Sequence, residues 1–183
     1  DELRDALSGV DVAYYLVHSM GSLKDFERLD RMSATNFRDA AIECGVKRII
    51  YLGGLGDKER ASRHLKSRIE TGEILSAFPE KIQTIWFRAG IIIGSGSASF
   101  EIISGLVIKL PVLASPRFIK NKTLPIGITD VLLYLDSART LECRENLVVD
   151  IGGEEMTFET LLKDMAEILN VNRIIFTVPV FSS

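Results

Sequence analysis

Cysteine is scarce in this chain: Cys44 and Cys143 are the two in 183 residues, far apart in sequence. A disulfide framework is excluded, and with no C-x-x-C pair no metal site is expected. A reducing, cytoplasmic setting is the expectation that follows. An excess of one charge is also missing. Lys plus Arg is 22 against Asp plus Glu 25, a net charge of -3, so nothing overall favours coating nucleic acid or an anionic membrane. The first residues, Asp-Glu-Leu-Arg-Asp, are no basic leader ahead of an apolar core. The most apolar stretch, 102–114, is broken by Ser104, Gly105, Lys109 and Pro111. It falls short of the roughly 20 apolar residues that span a bilayer. There is no internal repeat and no flexible linker. What is present, 46% hydrophobic and 26% charged residues, is the composition of an ordinary globular domain.

Along the chain strands and helices alternate. Residues 10–17 (VDVAYYLV) form a short apolar run rich in β-formers. Residues 25–44 carry apolar side chains mostly in steps of three and four, a helical stripe, and Gly45 then stops the helix. A second strand at 47–52 runs into Gly53-Gly54, and a second helix is expected at 60–77. A third strand lies in 81–93, as TIWFRAGIII. Small hydroxyl residues at 97–99 can cap another helix. Further on the pattern predicts a short strand at 123–128, a helix capped by Thr129-Asp130 and running to about 141, and a strand at 146–151. A helix at 157–169 opens on the near capping box Thr-Phe-Glu-Thr, and a last strand covers 173–178. Continuous apolar strands separated by helices predict a parallel sheet covered on both faces. Tyr14, Tyr15, Trp86 and Phe87 read as packing residues.

In such sheets ligands bind at the carboxyl ends of the strands. That singles out His18-Ser19-Met20-Gly21, Gly53-Gly54-Leu55-Gly56 and Arg88-Ala89-Gly90. The order of segments carries a resemblance: GVDVAYYLVHSM, NFRDAA, GVKRIIYLGGLG, HLKSRIETGEIL, TIWFRAGIIIGSGSASFE, PIGITDVLLYL and VDIGGEEMTFETLL. Together they resemble the short-chain dehydrogenase/reductase superfamily, in its atypical, NmrA-like branch of NAD(P)-binding proteins related to nucleoside-diphosphate-sugar epimerases. The resemblance implies a Rossmann-like, doubly wound α/β sheet. It implies one NAD(P)-binding domain over residues 1–183, with 95–128 and 153–183 forming a smaller substrate-side part.

The same resemblance shows departures. Relatives begin with a strand, a glycine-rich turn and a helix that hold the cofactor pyrophosphate. No G-x-x-G-x-x-G occurs here, and the chain opens near the family's fourth strand, so about three strands are expected to be missing. The strand at 10–17 would then lie at an open apolar edge, which predicts poor solubility or self-association into a homo-oligomer. Family enzymes use Tyr-x-x-x-Lys on the helix after the fifth strand, with a Ser at the preceding strand end. In this sequence His64 and Arg68 stand at the Tyr and Lys places, and Gly53-Gly54 at the Ser place.

The resemblance implies that NADP or NAD is approached by His18, Ser19, Met20, Gly53, Gly54, Leu55, Arg68, Ala89, Gly90 and Ile91. His64 is the candidate acid, its imidazole made neutral by a neighbouring guanidinium; the alternative is an ordinary polar helix residue. Arg68 either contacts cofactor ribose or phosphate or pairs with Glu70 or Glu73. Ser95, Ser97 and Ser99 form either a substrate or phosphate contact or a loop with a helix cap. Arg88 reads as a structural ion-pair partner and Lys66 as solvated. The basic cluster Arg117, Lys120 and Lys122 is a solvated loop or flanks an anionic substrate. Two functions compete: an NAD(P)-dependent oxidoreductase on an unknown small substrate without the usual triad, and a non-catalytic NAD(P) sensor or assembly factor. A sugar-nucleotide epimerase is a weaker third, since that chemistry leans on Tyr-x-x-x-Lys.

Overall fold

A computed structural model describes residues 2–19, 25–115 and 117–177. The elements in chain order are α1 (Glu2–Leu7), β1 (Val12–Tyr15), α2 (Phe26–Glu43), β2 (Arg48–Gly54), α3 (Arg63–Leu75), β3 (Gln83–Ala89), β4 (Ile92–Ile93) and α4 (Ala98–Lys109). They continue with β5 (Val112–Ser115), a 3-10 turn (Arg117–Lys120), β6 (Lys122–Thr123), β7 (Ile126–Gly127), α5 (Ile128–Thr140), β8 (Leu147–Ile151), β9 (Met156–Thr157), α6 (Phe158–Ile168) and β10 (Ile174–Thr177). They divide into two compact units: residues 1–89 with 133–151, and residues 90–132 with 152–183. Among the described residues no helix is long and apolar enough to cross a membrane.

The first unit is a four-stranded parallel sheet in the order β1-β2-β3-β8. Alternation along the strands sorts the side chains onto two faces. Ala13, Tyr15, Ile49, Tyr51 and Trp86 turn to one face and pack with Ala34, Ala40 and Ala41 of α2 and Ile69 and Leu75 of α3. On the other, Tyr14 donates to the Leu135 carbonyl of α5 at 3.1 Å, and Phe87 lies 5.9 Å from the Tyr134 ring. Helices on both faces of a parallel sheet make this a Rossmann-like, doubly wound fold.

Helix boundaries follow local chemistry. Gly45, at φ 75°, ends α2, with the Val46 amide donating to Ala41 and the Gly45 amide to Ile42. That left-handed position suits glycine. Ser62 caps α3 by accepting from the Leu65 amide. At the amino ends of the strands Arg48 donates to Gln83 Oε1 and the carbonyl of Ala138, both at 2.6 Å, and to the Leu141 carbonyl at 2.7 Å. Gln83 Nε2 in turn donates to the carbonyls of Cys143 and Glu145. Asn146 accepts from the Thr84 amide and donates to the Ser76 carbonyl.

The second unit packs α4 on α6 through Ile103, Val107, Leu161, Leu162, Met165 and Ala166. Three two-stranded pieces surround that core: β4 with β7 and β5 with β10, both parallel, and β6 with β9, antiparallel. Ser97 and Thr157 cap α4 and α6. Arg173 closes the far end of α4 by donating to the Val107 and Ile108 carbonyls.

Several boundaries differ from the sequence expectation. TIWFRAGIII is two strands, because β3 ends at Ala89 and Ile92–Ile93 pairs instead with Ile126–Gly127. The expected strand at 123–128 is likewise split into β6 and β7 by Leu124-Pro125, where proline has no amide to donate. Helix α5 starts at Ile128, ahead of the expected Thr129-Asp130 cap. Helix α1, β5 and the 3-10 turn had no counterpart in the sequence reading.

Candidate functional site

The carboxyl ends of β1 and β2 gather the chemically distinctive side chains of the first unit. Strand β2 runs through both glycines to Gly54, with Gly53 opposite Arg88 and Gly54 opposite Ala89 on β3. The Leu55 amide then donates to the Ala89 carbonyl at 2.8 Å. A Cβ on Gly53 would fall 2.5 Å from Trp86 Nε1, so glycine there makes room for a neighbouring ring. A Cβ on Gly54 would meet Leu65 Cδ1 at 2.8 Å, with the Arg68 guanidinium just beyond at 3.7 Å.

Arg68, on α3, curls back over this strand end. Its Nη2 donates to the Leu52 carbonyl at 3.0 Å, its own carbonyl accepts from the Tyr51 hydroxyl at 2.8 Å, and among the described residues its buried Nε has no partner. Neither expected acidic partner holds it: Glu70 pairs with Arg31 and Glu73 with Lys58.

His18 and Ser19 lie past the end of β1. Burial, and then the positive field of Arg68, push the His18 imidazole below its ordinary value, against the opposing charge of Asp30. The guanidinium effect that the sequence suggested for His64 thus acts on His18. His64 itself is exposed and stacks on Phe26, with ring centroids 4.3 Å apart. Arg63 lies over the same Phe26 ring and pairs with Glu27. Lys66 is exposed.

Asp30 was missed by the sequence reading. It is buried on α2, where one oxygen accepts the Ser19 amide and the other the Ser67 hydroxyl, both at 2.8 Å. Burial alone would raise its pKa; the bonds from Ser19 and Ser67 outweigh burial and lower it. Its charge also reaches Tyr15, whose phenol is pushed up to about 12 by burial and then by Asp30. A signal was present: Phe26, Asp30, Ala34 and Ala41 follow helical spacing on one stripe, with a carboxylate among apolar residues.

The remaining expected residues fall elsewhere. Met20 lies outside the described residues. Gly90 and Ile91 belong to the second unit, where a Cβ on Gly90 would fall 1.8 Å from the Leu124 carbonyl oxygen. That glycine is therefore required by the chain's own backbone. The Ile91 carbonyl accepts from the Ile126 amide, and its side chain packs on the α4–α6 core. Ser97 is committed as a cap: it donates to the Ile92 carbonyl at 2.6 Å and accepts from the Phe100 amide. Ser95 and Ser99 are exposed. Arg88 pairs with Asp150 on β8 through two nitrogens, and Lys122 pairs with Glu155. Among the described residues no group of three His, Cys, Asp or Glu could hold a metal ion.

No protein-family model matches the chain, and no curated protein matches it in sequence. Solved structures match in fold. MoeE5 in complex with UDP-glucuronic acid and NAD superposes with a TM-score of 0.78 at 14% identity, over 98% of this chain and 69% of that one. A double mutant of DesIV, the dTDP-glucose 4,6-dehydratase from Streptomyces venezuelae, with NAD and DAU bound, gives 0.76 at 13% identity, over 98% and 64%. The UDP-glucuronic acid 4-epimerase from Bacillus cereus in complex with UDP-glucuronic acid and NAD gives 0.76 at 14% identity, over 98% and 66%. At these identities the likeness establishes the Rossmann-like fold. Across eight of the matched structures the chain spans 61% to 72% of the partner's length.

Proposed function

We propose that this chain forms part of an NAD(P)-binding protein of the atypical, NmrA-like short-chain dehydrogenase/reductase type, acting as an oxidoreductase on a small substrate. The carrying observation is the end of β2: two glycines in a parallel sheet, with the partly uncommitted Arg68 guanidinium beside them. The glycines keep this strand end slim beneath Trp86 and Leu65, and the fork of donors on a guanidinium suits ribose or phosphate oxygens. Four of the structures similar in fold hold NAD, which supports the cofactor class. No glycine-rich phosphate turn occurs in the 183 residues, so the reading requires one from outside this chain.

In this reading Gly53, Gly54 and Leu55 run alongside the dinucleotide, with the Leu55 amide held by the Ala89 carbonyl. His18 and Ser19 border the ribose side. The nicotinamide supplies the hydride-transfer chemistry when bound. His64 stands where the family has its tyrosine, and its imidazole is the group that would hold the substrate proton. Ser97 is set aside as a substrate contact, since its hydroxyl is already engaged by its own helix cap.

The absence of a hydroxyl at Gly53-Gly54 favours a second reading, a non-catalytic NAD(P) sensor or assembly factor. Calorimetric titration of NADH and NADPH into the full-length protein tests the common core of both. One dinucleotide per chain is expected, with Arg68→Met weakening binding about tenfold while the fold is retained. A wild-type protein that binds neither overturns the proposal. Binding with hydride exchange, lost in His64→Ala, separates the enzyme from the sensor.

A further inference from the structure

The dinucleotide reading leaves one costly group without a task. Asp30 is 6% exposed, and among the described residues it forms no salt bridge. A carboxylate withdrawn from water without a cation is unfavourable unless hydrogen bonds satisfy it. Two bonds do so here, and each reaches a different element. Oδ1 takes the Ser19 amide, in the segment that leaves β1, and Oδ2 takes the Ser67 hydroxyl, on α3. Ser19 directly follows His18, and Ser67 directly precedes Arg68. A single side chain of α2 therefore ties together the neighbours of both basic residues at this strand end.

We propose that Asp30 is a positioning residue of the dinucleotide site. By holding Ser19 and Ser67 at once, it fixes the exit of β1, with His18, against the turn of α3 that presents Arg68. This rests on the dinucleotide reading above. The role follows from reach and from the number of acceptors. Alanine offers no acceptor. Asparagine keeps an oxygen for the Ser19 amide, and its nitrogen can donate to the Ser67 hydroxyl oxygen.

The test uses the full-length protein with two readouts: affinity for NADH and NADPH by calorimetry, and hydrogen exchange of the Ser19 amide. Asp30→Ala is expected to weaken binding about tenfold and to speed Ser19 exchange about tenfold, leaving the β2 amides protected. Asp30→Asn is expected to stay within about threefold of wild type in both. Ser67→Ala, which keeps the carboxylate and its bond to Ser19, is expected to weaken binding about threefold, and to add nothing in the Asp30→Ala background. If Asp30→Ala does not fold, the Ser67→Ala affinity and the Asp30→Asn rescue still decide. Wild-type affinity in Ser67→Ala and Asp30→Ala, or equal losses in Asp30→Asn and Asp30→Ala, would overturn the positioning role. If wild type binds neither dinucleotide, the dinucleotide reading fails, while faster Ser19 exchange in Asp30→Ala still upholds the tether; unchanged exchange overturns the tether itself.

Discussion

The two ends of the four-stranded sheet are built on different principles. At the amino ends Arg48, Gln83 and Asn146 are spent within the chain. Arg48 reaches the carbonyls that end α5 and the loop beyond it, Gln83 holds the carbonyls of Cys143 and Glu145, and Asn146 bridges Thr84 to Ser76. At the carboxyl ends the accounts stay open. Among the described residues Arg68 keeps a buried nitrogen without a partner, and His18 is partly exposed. The comparison teaches where stability and binding are separately invested. Saturated hydrogen bonding closes helix ends that would otherwise leave carbonyls unpaired. Unsaturated groups on a rigid sheet are what a ligand can use.

Arg48→Met is the hardest test of that contrast. It strips several carbonyls of their donor at once, and about 3 kcal/mol of stability should be lost in urea unfolding, with dinucleotide affinity of the folded protein unchanged. Loss of affinity without loss of stability would break the comparison. The two glycines sharpen it within a single strand end. Gly53→Ala drives a methyl to 2.5 Å from the Trp86 ring nitrogen and 3.0 Å from Tyr51, and rigid rings cannot yield, so about 2 kcal/mol should be lost. Gly54→Ala meets the tip of Leu65, which can rotate away. Its stability cost should stay under about 1 kcal/mol, with the effect appearing in ligand affinity instead. Equal stability losses in the two would sink the distinction.

The smallest expected effect is on pH dependence. The folded state holds His18 below its ordinary pKa, through burial and then Arg68. The unfolded chain therefore binds the proton more readily, and stability should fall as pH drops through the ordinary imidazole value of about 6.5. The fall should level off below the depressed folded value. His18→Gln should flatten that part of a stability-versus-pH curve, and an unchanged slope would assign it to other groups.

The regular elements were largely legible because periodicity, caps and stops agree. Gly45, Ser97 and Thr157 each sit at the helix ends that their chemistry predicts. The order of strands and helices was equally plain. What escaped depends on contacts distant in sequence. TIWFRAGIII is one apolar run, and nothing in it reveals that Leu124 will press against Gly90 and that the strand must end there. At the candidate site, glycines and basic residues at strand ends could be read by position. Asp30 could not be assigned a role, because Ser19 and Ser67 meet it only once three elements are packed. The engaged Ser97 hydroxyl teaches the converse: a motif rich in glycine and serine can be consumed by its own helix cap.

The tight seat of Trp86 has an optical consequence. The sequence contains one tryptophan, and its ring is wedged between Gly53 on β2 and Gly72 on α3, where a Cβ on Gly72 would fall 2.4 Å from the indole. The residue is 7% exposed, and among the described residues its N–H meets no acceptor. Indole emission from this chain therefore comes from a single site, in apolar surroundings, at the seam joining the sheet to one of its helices and next to the glycine pair. Its colour follows the integrity of that seam, and its intensity is a natural gauge of anything that docks at the neighbouring strand end.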